Sequence, residues 1–312
     1  MSYDLYFYCN SRRNFDPGSV QAYFESQFGF KLHGIKRPGF QAWYENEKTG
    51  VYCTFDYDDP TAEDSAPPCD QGYVFTGLTF NLNYNRPTFF AVETMPLVQS
   101  LADRFQLFVG DPQEDRRDVI TPLKLGAEAL VSSWQRHNML AVGAVHDDTK
   151  DEPMYLYYPR EKALYWWRYT RGQDALQERL GDDIFVPSIM LVGRPGEVLV
   201  HSMVIWSDAL PQVFPAADHV LLHRMIQDST GKWVSKKKEL LSWQVVKDEL
   251  SRLTEPCDGG VSDLLVVPSE RSSKLRKVFD RLEGAEFEGY QHVASDGFVD
   301  VPLERKLPMR LQ

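Results

Sequence analysis

The sequence has few of the features that announce a chemistry, and each absence removes a class of function. Four cysteines in 312 residues, none in a CxxC spacing, are too sparse for a disulfide framework or a zinc site and are typical of reduced thiols. No apolar run approaches the roughly 20 residues that a membrane span needs. Dinucleotide-binding, phosphate-binding, nucleophile-elbow and kinase motifs are also missing. We therefore expect a binding protein rather than an enzyme, although catalytic groups can assemble from distant residues.

Positive charge is scarce as well. The chain has 34 Lys and Arg against 45 Asp and Glu, a formal net charge of −11. Nucleic-acid-binding proteins usually carry a basic stripe, and an anionic membrane surface repels an acidic protein. We expect neither as a partner. The first residues lack the basic and apolar regions of a signal peptide, which predicts a cytoplasmic location.

One long segment, residues 49–85, contains no basic residue at all. Its carboxylates are interleaved with aromatic rings, and such uncompensated charge is typical of a surface that meets a cation-rich partner. A solvated loop rich in Asp and Pro explains the same composition. As partner contacts we predict Asp56, Tyr57, Asp58, Asp59, Glu63 and Asp64.

A second aromatic segment covers residues 154–170. We predict a hairpin here, with strands over 154–158 and 163–169, whose rings cannot all face one core because strand side chains alternate. Tyr, Trp and Arg dominate binding hot spots, so Trp166, Trp167 and Arg168 are further candidate contacts. A hairpin packed between two layers explains the same residues.

The most enzyme-like fragment is His146-Asp147-Asp148, after the apolar run 139–145. A strand ending in this fragment could hold a divalent metal or supply an acid–base pair. No HxH or HxxxH partner is near, and an exposed charged loop explains the fragment equally well. Asp147 and Asp148 are kept as candidate partner contacts, and we predict no metal site and no cofactor.

Hydrophobic periodicity predicts an α+β fold with mostly antiparallel sheets and helices packed on one face. In the first third we expect a helix that starts at Asp16-Pro17 and another that starts near Pro96. Strands are predicted over 3–9, 40–45, 51–57, 73–84 and 105–109. The polar turn 110–117 is the predicted boundary between an N-terminal module, 1–112, and a C-terminal module, 113–312.

Three segments of the first 110 residues carry a resemblance to known proteins: Tyr3–Tyr8, Trp43–Tyr52 and Gly77–Pro87. With these segments, the acidic and motif-free chain resembles the immunity proteins of bacterial polymorphic-toxin and type VI secretion systems. The resemblance implies tight binding of a cognate effector toxin and no catalysis.

The toxin we expect is a nuclease, whose active face is basic because it holds phosphates. An acidic inhibitor would compete for that face and associate quickly. Two alternatives stay open. One is a metal-dependent hydrolase that uses His146, Asp147 and Asp148, and the other is an adaptor of a membrane-bound secretion apparatus.

Overall fold

The computed structural model describes residues 2–36, 39–60, 68–114, 119–148 and 155–302. The chain divides into two compact units: unit 1 is Met1–Met154 with Val299–Gln312, and unit 2 is Tyr155–Phe298. Helices and mainly antiparallel sheets build both units, which confirms the predicted α+β class. In the described residues, no helix has the length and apolar character that a membrane crossing requires.

Unit 1 is built on an antiparallel sheet of six strands within the described residues. Its strands are β1 Ser2–Asn10, β2 Phe30–Lys36, β3 Gly39–Asn46, β4 Val51–Tyr57, β5 Tyr73–Asn83 and β6 Phe108–Gly110. They lie side by side in the order β2-β3-β4-β5-β1-β6. The helices are α1 Pro17–Ser26, α2 Phe89–Phe105 and α3 Ala127–Asp148.

The local sequence explains most of these elements. The Asp16 carboxylate accepts a hydrogen bond from Gly18 N at 3.0 Å and so caps α1, with Pro17 at the first helical position. The strands predicted over 3–9, 40–45, 51–57 and 73–84 are confirmed as β1, β3, β4 and β5. The strand predicted over 105–109 is shorter and later, at Phe108–Gly110, and β2 was not predicted. Helix α2 begins at Phe89, about two turns earlier than predicted, and therefore contains Pro96. Phe89 and Phe90 are fully buried, and their packing favours the earlier start.

The division into units differs from the predicted boundary after residue 112. Helix α3, which follows that boundary, packs against α2 in unit 1, and Leu130 and Trp134 of α3 are fully buried. Asn138 of α3 also donates a hydrogen bond to the Arg86 carbonyl at 3.1 Å. Residues 112–114 of the predicted boundary are thus a turn inside unit 1, because turn-forming residues mark a change of direction and not the end of a core.

Within the described residues, unit 2 contains a six-stranded and a three-stranded sheet. Its strands are β7 Leu156–Tyr157, β8 Ile189–Gly193, β9 His201–Ser207, β10 Val213–Phe214, β11 His219–Gln227, β12 Trp233–Ser242, β13 Glu255–Pro256, β14 Leu265–Val266, β15 Ala285–Glu286, β16 Gln291–His292 and β17 Phe298–Val299, the last of which ends in unit 1. The described strands of the larger sheet follow the order β15-β12-β11-β9-β8-β16, and β9 and β11 are parallel. The three-stranded sheet has the order β10-β14-β13, and β7 pairs with β17 in a two-stranded one.

The helices of unit 2 are α4 Arg160–Leu180, α5 Trp243–Leu250 and α6 Ser272–Arg281, the last preceded by a short 3-10 turn, Ser269–Arg271. The core of the unit centres on Trp206, whose ring lies edge-on to Phe214 and Phe279 at centroid distances of 5.1 and 5.0 Å. All three side chains are at most 1% exposed.

The hairpin predicted for residues 154–169 is wrong, because most of this segment belongs to helix α4. Its buried residues Ala163, Trp166 and Trp167 are three and four positions apart, the spacing of one helical face. The strand expected over 139–145 is wrong too, since these residues continue α3.

Candidate functional site

The sheet of unit 1 has one apolar and one polar face. On the apolar face, the Phe55 ring lies with its centroid 5.0 Å from Phe24 of α1 and 5.0 Å from Phe80. These side chains are at most 1% exposed. Because successive side chains of a strand point to opposite sides, the burial of Phe55 turns its neighbours Thr54 and Asp56 to the other side of the sheet.

That other side, which we call the polar face, is formed by partly exposed side chains of β3, β4, β5 and β1. The cross-strand register arranges them in two rows. The first row is Trp43, Thr54, Asn81 and Asp4, and the second is Gln41, Asp56, Thr79 and Tyr6, with Tyr52 next to Trp43.

Two carboxylates are fixed on this face by neutral groups. Asp56 accepts hydrogen bonds from Gln41 Nε2 at 2.6 Å and Thr54 Oγ1 at 3.0 Å. Asp4 accepts from Asn81 Nδ2 at 2.6 Å and Ser2 Oγ at 3.0 Å. These donors orient the carboxylates without neutralising them. Within the described residues, neither carboxylate forms an ion pair with Lys or Arg.

The two carboxylates are separated by a distance that strand geometry sets. Asp4 and Asp56 lie on strands that flank β5, in neighbouring rows. A strand spacing of about 4.8 Å and a rise of about 3.4 Å per residue place them about 12 Å apart. The polar face therefore presents two separate negative charges and not a chelating pair.

Aromatic rings border the carboxylates. The Trp43 and Tyr52 rings are stacked, with centroids 5.8 Å apart and an interplanar angle of 12°. The Arg86 guanidinium lies 5.4 Å from the centre of the Tyr52 ring and donates from Nε to the Tyr52 hydroxyl at 3.1 Å. Flat rings next to fixed charges give a surface that can desolvate a partner's side chains and bind their charges.

The acidic segment contributes to this site in part. Asp56 belongs to the polar face, and the exposed Asp58 follows directly after β4, with its backbone N donating to Gly77 O at 3.0 Å. Tyr57 lies on the apolar side against Phe40, with ring centroids 5.4 Å apart, and burial together with the charge of Asp59 raises the pKa of Tyr57. Glu63 and Asp64 lie outside the described residues.

Two of the partner contacts predicted in the second aromatic segment, Trp166 and Trp167, are buried packing residues instead. Trp166 and Trp167 are each 7% exposed. Trp166 Nε1 donates to Ile189 O at 2.9 Å, and the guanidinium of Arg171 lies 5.1 Å from the centre of the Trp167 ring. Both indoles thus pack α4 into unit 2, and of the predicted trio only Arg168 is exposed.

The fragment His146-Asp147-Asp148 forms the end of α3 and does not follow a strand. The predicted strand end is therefore wrong, and the side chains of these three residues lie outside what the structure describes. Across the residues that the structure describes, no group of three His, Cys, Asp or Glu is placed to hold a metal ion.

The sequence prediction missed a basic element in unit 2. The hairpin β11–β12 carries Lys232, Trp233, Lys236 and Lys238, which we call the basic hairpin. Trp233 is 58% exposed. Within the described residues none of these lysines forms an ion pair, whereas Lys237 is bound to Glu239 at 2.8 Å. The run Lys236-Lys237-Lys238 was the signal in the sequence.

No protein-family model, no curated protein and no solved structure matches this chain.

Proposed function

We propose that this protein is a cytoplasmic immunity protein that binds a cognate secreted toxin and inhibits it without catalysis of its own. The polar face supplies the contact, and Asp58 and Asp59 extend it at the end of β4. The observation that carries the proposal is the pair Asp4 and Asp56, which neutral donors hold in place and no described cation neutralises. The complementary surface of the toxin is cationic.

A nuclease is the toxin class that fits this surface best. Its active face binds phosphates through Lys and Arg, and carboxylates about 12 Å apart on a flat sheet compete for such side chains. The net charge of −11 adds long-range attraction, which speeds association with a basic protein.

The hydrogen bonds to the carboxylates lower the cost of binding. Gln41, Thr54 and Asn81 already restrict Asp56 and Asp4, so little side-chain freedom is lost when a partner binds. A standard interface buries about 800 Å² per partner. The two rows of the polar face cross only four strands spaced by about 4.8 Å, and their area is smaller than this. The contact must therefore extend beyond the polar face, and the exposed Asp58 follows directly after β4.

The test removes charge without changing shape. Asp4→Asn with Asp56→Asn should slow association with the cognate toxin by about tenfold at low salt, because steering depends on charge. Surface plasmon resonance at two salt concentrations measures the rate, and survival of cells that express the toxin measures protection.

The matched control is Asp182→Asn with Asp183→Asn, which changes the same charge at exposed positions of unit 2. An equal effect in both pairs would show that only total charge matters. Unchanged binding and protection in the polar-face variant would refute the proposed contact.

A further inference from the structure

The chain carries, within itself, the cationic element that its own polar face is suited to bind. We propose that the basic hairpin of one copy docks on the polar face of a second copy, so that this protein self-associates through opposite charges. The inference depends on the charges of the two surfaces and not on the identity of a toxin.

The basic hairpin is a local exception in an acidic chain. Residues 223–238 contain one acidic side chain, Asp228, beside Arg224 and four lysines. Asp228 is engaged within its turn, where it accepts hydrogen bonds from Thr230 N at 2.8 Å and Lys232 N at 3.0 Å. Its charge therefore stabilises the turn, and among the described residues Lys232, Lys236 and Lys238 are left to interact with another molecule, whereas Lys237 binds Glu239.

The register of the hairpin places an aromatic ring and a lysine on one side, about 14 Å apart. Trp233 pairs with Gln227, Ser235 with Met225 and Lys238 with His223. The bulge at Lys236 keeps Trp233 and Lys238 on the same side of the hairpin. This side offers a ring and a cation together, as the polar face offers Trp43 and Tyr52 beside Asp56.

The charges of the two surfaces are complementary in sign. Lys232 directly precedes β12, Lys236 lies at the bulge, and Lys238 follows the bulge in the strand, whereas the polar face offers Asp4 and Asp56. An anionic bilayer fits this hairpin less well. The turn Asp228-Ser229-Thr230-Gly231 is polar and would enter the bilayer first, and Ile226 lies on the opposite side from Trp233.

The experiment is sedimentation velocity of the full chain at about 0.1 M and about 1 M salt, where the Debye lengths are about 10 Å and about 3 Å. At the lower concentration the repulsion between two chains of net charge −11 is screened beyond the contact, while the contact itself is not. We expect dimers or longer head-to-tail chains at low salt and monomers at high salt. Lys232→Glu with Lys238→Glu should weaken the association at least about tenfold. The control, Lys274→Glu with Lys277→Glu on the exposed side of α6, should not.

Charge exchange makes the test specific. A face variant, Asp4→Lys with Asp56→Lys, should be monomeric alone and should associate when mixed with the hairpin variant. The unchanged hairpin of the face variant can then bind the unchanged face of the hairpin variant, and the two reversed surfaces are complementary as well. If the face variant does not fold, Asp4→Asn with Asp56→Asn replaces it and should weaken association of the otherwise unchanged chain.

Monomers at every salt concentration would overturn the inference, as would association that the hairpin variant leaves unchanged. Binding of oligothymidylate or of phosphatidylserine vesicles through the hairpin of a chain that stays monomeric would assign the hairpin to another anionic partner and would overturn it as well.

Discussion

Asp300 accepts two hydrogen bonds from Thr88, a residue 212 positions earlier in the chain. The backbone N and the hydroxyl of Thr88 each lie 3.0 Å from the carboxylate, and both residues are at most 1% exposed. Thr88 precedes α2 but makes no side-chain cap of its own. Asp300 therefore supplies the cap, and a negative charge at the start of a helix is also favoured by the helix dipole.

Asp300→Ala should lower the free energy of unfolding of unit 1 by about 2 kcal/mol, because a capping charge is lost and a buried donor is left without its partner. Urea unfolding followed by circular dichroism measures the change. Glu288→Ala, at an exposed position of unit 2, is the control and should change stability by less than about 0.5 kcal/mol. Equal stability of the two variants would contradict the capping role.

Glu239→Gln should destabilise unit 2. The buried carboxylate of Glu239 binds Arg224 Nε at 2.9 Å, Lys237 Nζ at 2.8 Å and Gly284 N at 3.2 Å. Removing one member of a buried ion pair leaves an uncompensated charge and costs about 3 kcal/mol. The free energy of unfolding at neutral pH measures the loss. A cost below about 0.5 kcal/mol would show that water replaces the carboxylate.

Glu239 also predicts that the free energy of unfolding depends on pH in the acid range. Burial alone raises the pKa of Glu239, but hydrogen bonds from Lys237, Arg224 and Gly284 outweigh burial and lower it to about 2. Because the folded pKa lies below the ordinary value of 4.5, the stabilisation is complete above that value and is lost as the pH falls towards 2. Urea unfolding across this range should show a smaller pH dependence for Glu239→Gln than for the unchanged chain.

His219 predicts that stability also depends on pH in a range above that of Glu239. Burial lowers the pKa of His219 below 6.5, and the neighbouring His201, whose ring centroid is 5.2 Å away, acts in the same direction. Arg194 and Lys162 lower the pKa further, whereas Asp218 raises it. The folded protein binds this proton less readily than the unfolded chain. Stability is thus present above pH 6.5 and lost as the pH falls through the lowered pKa.

His219→Gln should reduce the loss of stability between about pH 7 and about pH 5. The thermal midpoint of unit 2 measures it, and His292→Gln, at an exposed position, should retain the loss. If both variants follow the unchanged chain, His219 is not the responsible group.

Glu93→Gln should loosen the turn between β3 and β4. Glu93 of α2 is 5% exposed and accepts hydrogen bonds from Tyr44 Oη at 2.9 Å, Asn46 Nδ2 at 2.6 Å and Thr49 Oγ1 at 3.1 Å. A glutamine amide places a donor among these donors, at a cost of about 2 kcal/mol. Faster hydrogen exchange of the Gly50 amide, compared with the amides of β1, measures the loosening. Unchanged exchange at Gly50 would contradict it.

Sequence periodicity predicted the sheet of unit 1 well because its signals are local. Alternation in β4 directs Phe55 inward and Asp56 outward, and a proline and a capping carboxylate mark the start of α1. The partners of Asp56 could not be predicted. Gln41 and Asn81 reach the polar face through strand pairing, and that register is set by the packed sheet and not by any short stretch of chain.

The failures in unit 2 have a different cause. Tyr and Trp are enriched in strands, so residues 154–169 favoured a hairpin. Their burial instead follows the helical spacing of Ala163, Trp166 and Trp167, because packing overrides a weak intrinsic preference. The net charge of the whole chain, −11, also concealed the basic hairpin, because a sum over the chain does not show that lysines cluster at one turn.

The chain leaves unit 1 after Met154 and returns to it at Val299. At the two ends of unit 2, the rings of Tyr158 and Phe298 meet edge-on with centroids 5.6 Å apart. A segment whose ends meet can be gained or lost in one genetic event without breaking the host fold. Excision of unit 2, with a short linker in its place, would therefore remove the lysine-rich turn and leave the chain of unit 1 joined.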